Sequence, residues 1–246
     1  MIERLTKYKH IIWDWNGTLI NDIWLVVQIM NKMLEKRNMT GIDSKKYREI
    51  FNFPVIDYYA KLGFDFSDES FEKLTVEFIS EYYTRFNECK LFDETEEVLK
   101  KIRDIGISQS ILSASKEDVL IEKIKYYGID KYFCRIMGLE NHYAESKVER
   151  GKKWIAELNL NPHDVLLIGD TTHDYIVSKH IGCDCLLIAN GHYSYERLAK
   201  LGVEVIGTLK EMIQIWGKTT RNGLFSYFFF SSLSSRDTQY TMWSMG

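Results

Sequence analysis

The sequence predicts an α/β fold, a doubly wound parallel sheet carrying an inserted α-helical segment. Three observations lead there. Four short apolar runs, HIIWDW (10–15), SQSILSA (108–114), DVLLIGD (164–170) and CDCLLIAN (183–190), have strand length and are continuous rather than alternating. Continuity of that kind marks strands covered on both faces. Helical patterns separate the later runs, and alternating β and α argues for parallel strands joined by crossover helices. The stretch of about residues 21–90 has no comparable strand signal.

Taken in order, the first run ends in Asp14-Trp15-Asn16-Gly17-Thr18, an aspartate and a glycine turn at a strand terminus. The insertion follows, with IWLVVQIMNKMLEKRNM and SFEKLTVEFISEYYTRF reading as amphipathic helices. Inserted after the first strand's loop, they would sit above the C-terminal edge of the sheet, where open α/β sheets bind ligands. FDETEEVLKKIRDIG (92–106) has acids early, basic residues late and a terminal Gly, the polarity a helix dipole favours. SILSAS supplies Ser113, and Ser115 ahead of KEDVL reads as a helix N-cap. SKVERGKKWIAELNL (146–160) and THDYIVSKHIG (172–182) complete the helical set. The final stretch, 217–246, is rich in Ser, Thr and aromatic residues and reads as a disordered tail outside the fold.

Composition narrows the function. The chain has 246 residues, 45% hydrophobic and 27% charged, enough for a full core and a second, smaller domain. A formal net charge of −3 gives no reason to expect nucleic acid or an anionic membrane as partner. Cys89, Cys134, Cys183 and Cys185 form neither a disulfide framework nor a paired zinc knuckle. The N-terminus lacks the apolar run of a signal peptide, and no segment approaches the ~18 apolar residues of a membrane span. A cytoplasmic protein is the expectation; oligomeric state is left open.

Chemistry concentrates at strand ends. GDTTHD (169–174) places Asp170 and Asp174 around a polar turn, hard oxygen ligands of the kind that suit Mg2+. Asp174 also reads as a first-turn helix acid. If the first and third runs are neighbours, Asp14 and Asp170 converge on one cation, and Asp14 can attack phosphorus as a nucleophile. Gly17 permits a tight turn whose amides can cradle a phosphate. Thr18 reads as a phosphate donor or a helix cap, Ser113 as a phosphate donor, and Lys147 as a phosphate-binding cation or a solvated lysine. His173 lies inside the metal turn, and Arg48 lies in the insertion where it could meet an anionic substrate.

The ordered set, Asp-x-x-Gly-Thr, then Ser, then Lys, then Gly-Asp-x-x-x-Asp, resembles the haloacid dehalogenase-like hydrolases over residues 10–215. The nearest look is the phosphoglycolate phosphatase and β-phosphoglucomutase branch. The resemblance implies a Rossmann-like core from 1–20 and 91–216 with a helical cap from 21–90. It implies Asp14 as nucleophile, Mg2+ held by Asp14, the backbone carbonyl of Asn16 and Asp170 with Asp174 in support, and a phosphate site at Ser113, Ala114 and Lys147. The implied substrate is a small phosphorylated metabolite.

Asn16 departs from the family pattern, because most phosphatases of this kind carry an aspartate there as general acid and base. An amide can do neither, and such help is worth about 10²–10⁴-fold in rate. The metal ligand at 16 is a backbone carbonyl, which Asn supplies equally well. Three readings follow: a Mg2+-dependent phosphatase with slow turnover, a weakly active or inactive phosphate-ester binding protein, or carbon–phosphorus bond cleavage using an insertion lysine such as Lys45, Lys46 or Lys61.

Overall fold

The computed structural model describes residues 5–139 and 147–212. Its main sheet has six parallel strands in the order β5-β4-β1-β6-β7-β8, with β1 at His10–Trp13, β4 at Ser108–Lys116, β5 at Arg135–Leu139, β6 at Val165–Gly169, β7 at Asp184–Ile188 and β8 at Glu204–Ile206. All four residues of β1 and all five of β6 are buried, as continuous apolar runs require. Because β1 sits between β4 and β6, the strand order reverses there. Open parallel sheets have their ligand crevice at such a reversal, beyond the C-terminal strand ends.

The segment after β1 folds as four helices, α1 (Ile23–Glu35), α2 (Ser44–Ile50), α3 (Val55–Leu62) and α4 (Phe71–Arg85). The sequence reading anticipated α1 and α4; α2 and α3 are too short to show a strong periodicity. A two-residue antiparallel ribbon pairs β2 (Ile20–Asn21) with β3 (Lys90–Leu91), so the chain leaves and re-enters the core side by side. Helix α1 buries Ile23, Leu25, Val26, Ile29, Met30 and Met33 and packs along α4, where Arg37 binds both Glu69 and Glu77. The helices of the core are α5 (Thr95–Asp104), α6 (Glu117–Tyr126), α7 (Lys147–Leu158), α8 (Thr172–Ile181) and the short α9 (Tyr195–Leu198).

Two expectations need correction. Strand β5 was not anticipated: it lies at the sheet edge, opens on exposed Arg135, and is half-covered, so its sequence RIMGL lacks a continuous apolar run. Ser115 does not cap α6. Strand β4 runs through to Lys116, which occupies the cap position without a side-chain hydrogen bond, and the Ser115 hydroxyl is used elsewhere. The expected tail, 217–246, lies outside the described residues.

A buried polar cluster stabilises the middle of the sheet. The His10 ring lies 2.6 Å from the Ser108 hydroxyl and 2.7 Å from that of Ser110, with Trp154 also donating to Ser110. Burial lowers the His10 pKa from 6.5 to about 4. The unfolded chain therefore binds the extra proton between those values. Stability from this site is complete above pH 6.5 and falls as pH drops towards 4. Between pH 7.5 and pH 5 the loss is expected to be on the order of 2 kcal/mol. Urea denaturation of wild type and His10→Asn at both pH values isolates it, since the variant lacks that part of the slope.

Candidate active site

The parallel order of β4, β1 and β6 brings three strand ends to one edge. Asp14 follows β1, Ser113 lies near the end of β4, and Asp170 follows β6. Asp14, Asp170 and Asp174 are all buried, and an oxygen from each lies within 4.8 Å of the others. Lys147, at the start of α7, donates to Asp14 Oδ1 at 2.6 Å and to Asp174 Oδ1 at 2.6 Å. Asp174 does two jobs. It forms a capping box with Thr171 at the start of α8 and it holds Lys147. The helix-acid reading is seen directly, and the same side chain also stands beside Asp14 and Asp170 in the carboxylate cluster.

Asp170 is gripped from three sides. The His192 amide donates to Oδ2 at 2.6 Å, and the Thr18 hydroxyl donates to Oδ1 at 3.1 Å. Gly17, at φ +71°, and Gly191 press their backbones against the same carboxylate, and a Cβ at either would collide with it. Thr18 is fully buried and does not line the cavity above the carboxylates, so its hydroxyl orients Asp170 rather than meeting a phosphate directly.

Asn16 lies at the cavity wall with its amide fully engaged. Nδ2 donates to Asp22 Oδ2 at 2.9 Å and to the Tyr82 hydroxyl at 2.7 Å, while Oδ1 accepts from the Ser115 hydroxyl at 2.8 Å. Tyr82 also donates to Asp22 at 2.6 Å. Sequence reasoning missed both Asp22 and His192, which lie 3.4 Å apart and link the first strand's loop to the turn after β7. An acid placed six residues beyond Asn16 looks like an ordinary helix cap, and His192 in the turn NGHY has no local signature.

Electrostatics follow from burial and crowding. Burial pushes the Asp170 carboxyl up to about 8, against the pull of His192 and with Asp14 and Asp174 adding repulsion. Burial likewise raises Asp14 to about 6, against the Lys147 cation. For Asp174 burial is outweighed by Lys147 and the Thr171 hydrogen bond, which hold it below the usual carboxylate range. Burial lowers His192, but Asp22 and Asp170 outweigh it and raise the ring to about 9. Four buried carboxyl groups, Asp14, Asp22, Asp170 and Asp174, face two buried cations, Lys147 and His192. With all four ionised the deficit would match one divalent ion, and hard oxygen donors at this spacing suit Mg2+ or a similar cation.

Removing the lysine should be costly for the same reason. Lys147→Met leaves two buried carboxylates without their shared cation, and a loss of about 3–5 kcal/mol is expected in urea unfolding without metal. Saturating Mg2+ should recover part of that loss, because a ligand that binds only the native state stabilises it.

The remaining candidates divide. Ser113 and Ala114 line the cavity beside Asp14. His173 lines it too, its ring 5.3 Å from that of Phe53, and burial lowers its pKa. Arg48 does not line the cavity, contrary to its expected encounter with substrate. Its guanidinium donates to the Gly191 carbonyl at 2.9 Å, clamping α2 to the turn that holds Asp170. Lys45, Lys46 and Lys61 are exposed and line no part of the cavity.

Comparison with known proteins identifies the family. A family model described as haloacid dehalogenase-like hydrolase covers residues 11–188. The pyrophosphatase PpaX of Anoxybacillus flavithermus is 21% identical over 219 residues, 86% of this chain and 98% of its own. A phosphoglycolate phosphatase of Vibrio vulnificus is 21% identical over 110 residues, 44% of this chain and 48% of its own. Among solved structures, a haloacid dehalogenase-like family hydrolase of Streptococcus pneumoniae superposes with a TM-score of 0.72 at 19% identity. It covers 86% of this chain and 99% of that one. Because that family model spans residues 11–188, the chain belongs to the haloacid dehalogenase-like hydrolases.

Proposed function

We propose that this hydrolase is a Mg2+-dependent phosphatase that releases phosphate from a small phosphorylated metabolite through an aspartyl-phosphate on Asp14. The observation that carries the reading is the buried cluster of Asp14, Asp170 and Asp174 around Lys147 at the end of a substrate-sized cavity. Relatives named for pyrophosphate and phosphoglycolate point to the same class of small phosphorylated compound.

In this reading Mg2+ is held by Asp14, Asp170 and the Asn16 carbonyl, with Asp174 in support. When bound it supplies charge neutralisation at the transferring phosphoryl group. Asp14 attacks phosphorus, the ester P–O bond breaks, and its electron pair leaves on the alcohol oxygen. Lys147 and Ser113 bind the phosphoryl oxygens. Water then attacks the aspartyl-phosphate, releasing phosphate and restoring Asp14. The segment 21–90 acts as a cap that excludes water from the site.

Asn16 limits the rate. Its amide cannot protonate the leaving alkoxide or activate water, and both its donors are held by Asp22 and Tyr82. Carbon–phosphorus cleavage through an insertion lysine has less support, since Lys45, Lys46 and Lys61 stand outside the cavity.

Phosphate release from p-nitrophenyl phosphate and from a panel of sugar and short-acid phosphates, with and without Mg2+, tests the proposal. Mg2+-dependent release, fastest for the activated ester, is expected. No release from any ester would overturn the enzymatic reading and leave phosphate-ester binding in its place.

A further inference from the structure

The cavity over the carboxylates has a volume of about 550 Å³, within the range of small-molecule sites. It reaches well beyond the space a phosphoryl group needs and extends between the helices of the insertion. That extension is aromatic and aliphatic: Phe53, Tyr58, Tyr59, Phe71, Phe78 and Ile79 contribute to its wall.

Charge is scarce where a leaving group would sit. Among the described residues, the cationic side chains lining the cavity are Lys116, Lys147 and His192. Lys147 and His192 are buried and already matched, while Lys116 is half-exposed and pairs with Asp118 in solvent. Lys116 lies 2.6 Å from Asp118, Lys147 is shared by Asp14 and Asp174, and His192 faces Asp22. Arg48, the insertion arginine nearest in sequence to the aromatic wall, is turned onto backbone carbonyls. A carboxylate or second phosphate on the leaving group would therefore be desolvated against aromatic rings without an unmatched buried counter-charge, which is strongly unfavourable.

The wall's buried hydroxyls supply no charge either: the Tyr58 and Thr75 oxygens have no hydrogen-bond partner among the described residues and are closed off from the cavity by the packing around them.

From this wall we infer that the substrate is the phosphate monoester of an uncharged, ring-bearing apolar alcohol, and that small anionic esters are poor substrates. The inference rests on the phosphatase reading of the same site and sharpens its substrate class. It separates this chain from what the names of its pyrophosphatase and phosphoglycolate phosphatase relatives would suggest.

Benzyl phosphate and 2-phosphoglycolate make the test, because both release a primary alcohol and so differ little in leaving-group chemistry. With Mg2+, kcat/KM for benzyl phosphate should exceed that for 2-phosphoglycolate by ~100-fold, the scale of pocket discrimination between apolar groups. Equal values, or a preference for 2-phosphoglycolate, would overturn the substrate class while leaving the phosphatase intact. Binding provides an arm independent of turnover. Benzylphosphonate should bind the Mg2+-loaded protein at least ~10-fold more tightly than phosphonoacetate by calorimetry. If no ester is hydrolysed but that preference holds, the pocket assignment stands and the hydrolytic reading falls. If phosphonoacetate binds as well or better, the assignment falls. Thr75→Lys, which places a cation in the wall, should shrink the benzyl preference by ~10-fold or more; an unchanged ratio in folded variant protein would contradict it.

Discussion

Asp14→Asn is expected to abolish Mg2+-dependent phosphate release, by on the order of 10⁴-fold or more, as removal of a covalent nucleophile does elsewhere. An amide nitrogen or oxygen cannot form the acyl phosphate, and it weakens the set of oxygens around the cation. The fold should not suffer. Asp14 has its pKa raised by burial, so at neutral pH its carboxylate is paid for by the native state, and a neutral amide of the same size removes that strain. Lys147 retains Asp174 at 2.6 Å. The expected pair of results is therefore lost activity with equal or higher unfolding free energy at pH 7. Activity near that of wild type would remove Asp14 from the chemistry.

Asn16→Asp should act in the opposite sense. Asn16 Nδ2 lies 2.9 Å from Asp22 Oδ2, so the new carboxyl would stand against an existing carboxylate. Two such groups cannot both ionise cheaply, and one proton would be held between them to higher pH than usual. A carboxyl still protonated near neutrality at the cavity wall is what the leaving alkoxide needs. For alkyl phosphates kcat/KM, which reports phosphorylation of Asp14, should rise by about 10²–10⁴-fold. Much less change is expected in kcat/KM for p-nitrophenyl phosphate, whose leaving group needs no proton. Its steady-state kcat should rise as well, because water attack on the shared aspartyl-phosphate gains a base. The accompanying loss of stability should grow with pH, because the pair's raised pKa makes its ionised form costly in the native state. An unchanged kcat/KM ratio between alkyl and aryl esters, with no rise in kcat for either, would show that Asn16 does not limit the reaction.

The sequence showed the core strands and the long helices because their patterns are local. IIW and VLLIG are continuous apolar runs, and α1 and α4 carry apolar stripes. The ends of those strands also showed where Asp14 and Asp170 stand, since a parallel sheet aligns its C-terminal edge. What depended on distant contacts stayed hidden. Ser115 resembles a helix cap until Asn16, 99 residues away, takes its hydroxyl. Arg48 resembles a substrate residue until the Gly191 carbonyl, 143 residues away, takes its guanidinium. Asp22 and His192 form their pair across the molecule, and neither has a neighbour in sequence that advertises it. The aromatic wall was present as scattered Phe and Tyr in the insertion, but only the packing of α2, α3 and α4 turned it into one surface facing the carboxylates.

In the proposed mechanism an activated ester phosphorylates Asp14 readily, and Asp14 then empties slowly for want of a base at position 16. A rapid-quench experiment with p-nitrophenyl phosphate and Mg2+ measures both halves at once. The account predicts a burst of p-nitrophenol approaching one equivalent per active site, followed by a slower steady state, with acid-trapped phosphate on Asp14. Linear release from the first turnover, with no phosphate retained on the protein while product forms, would contradict it.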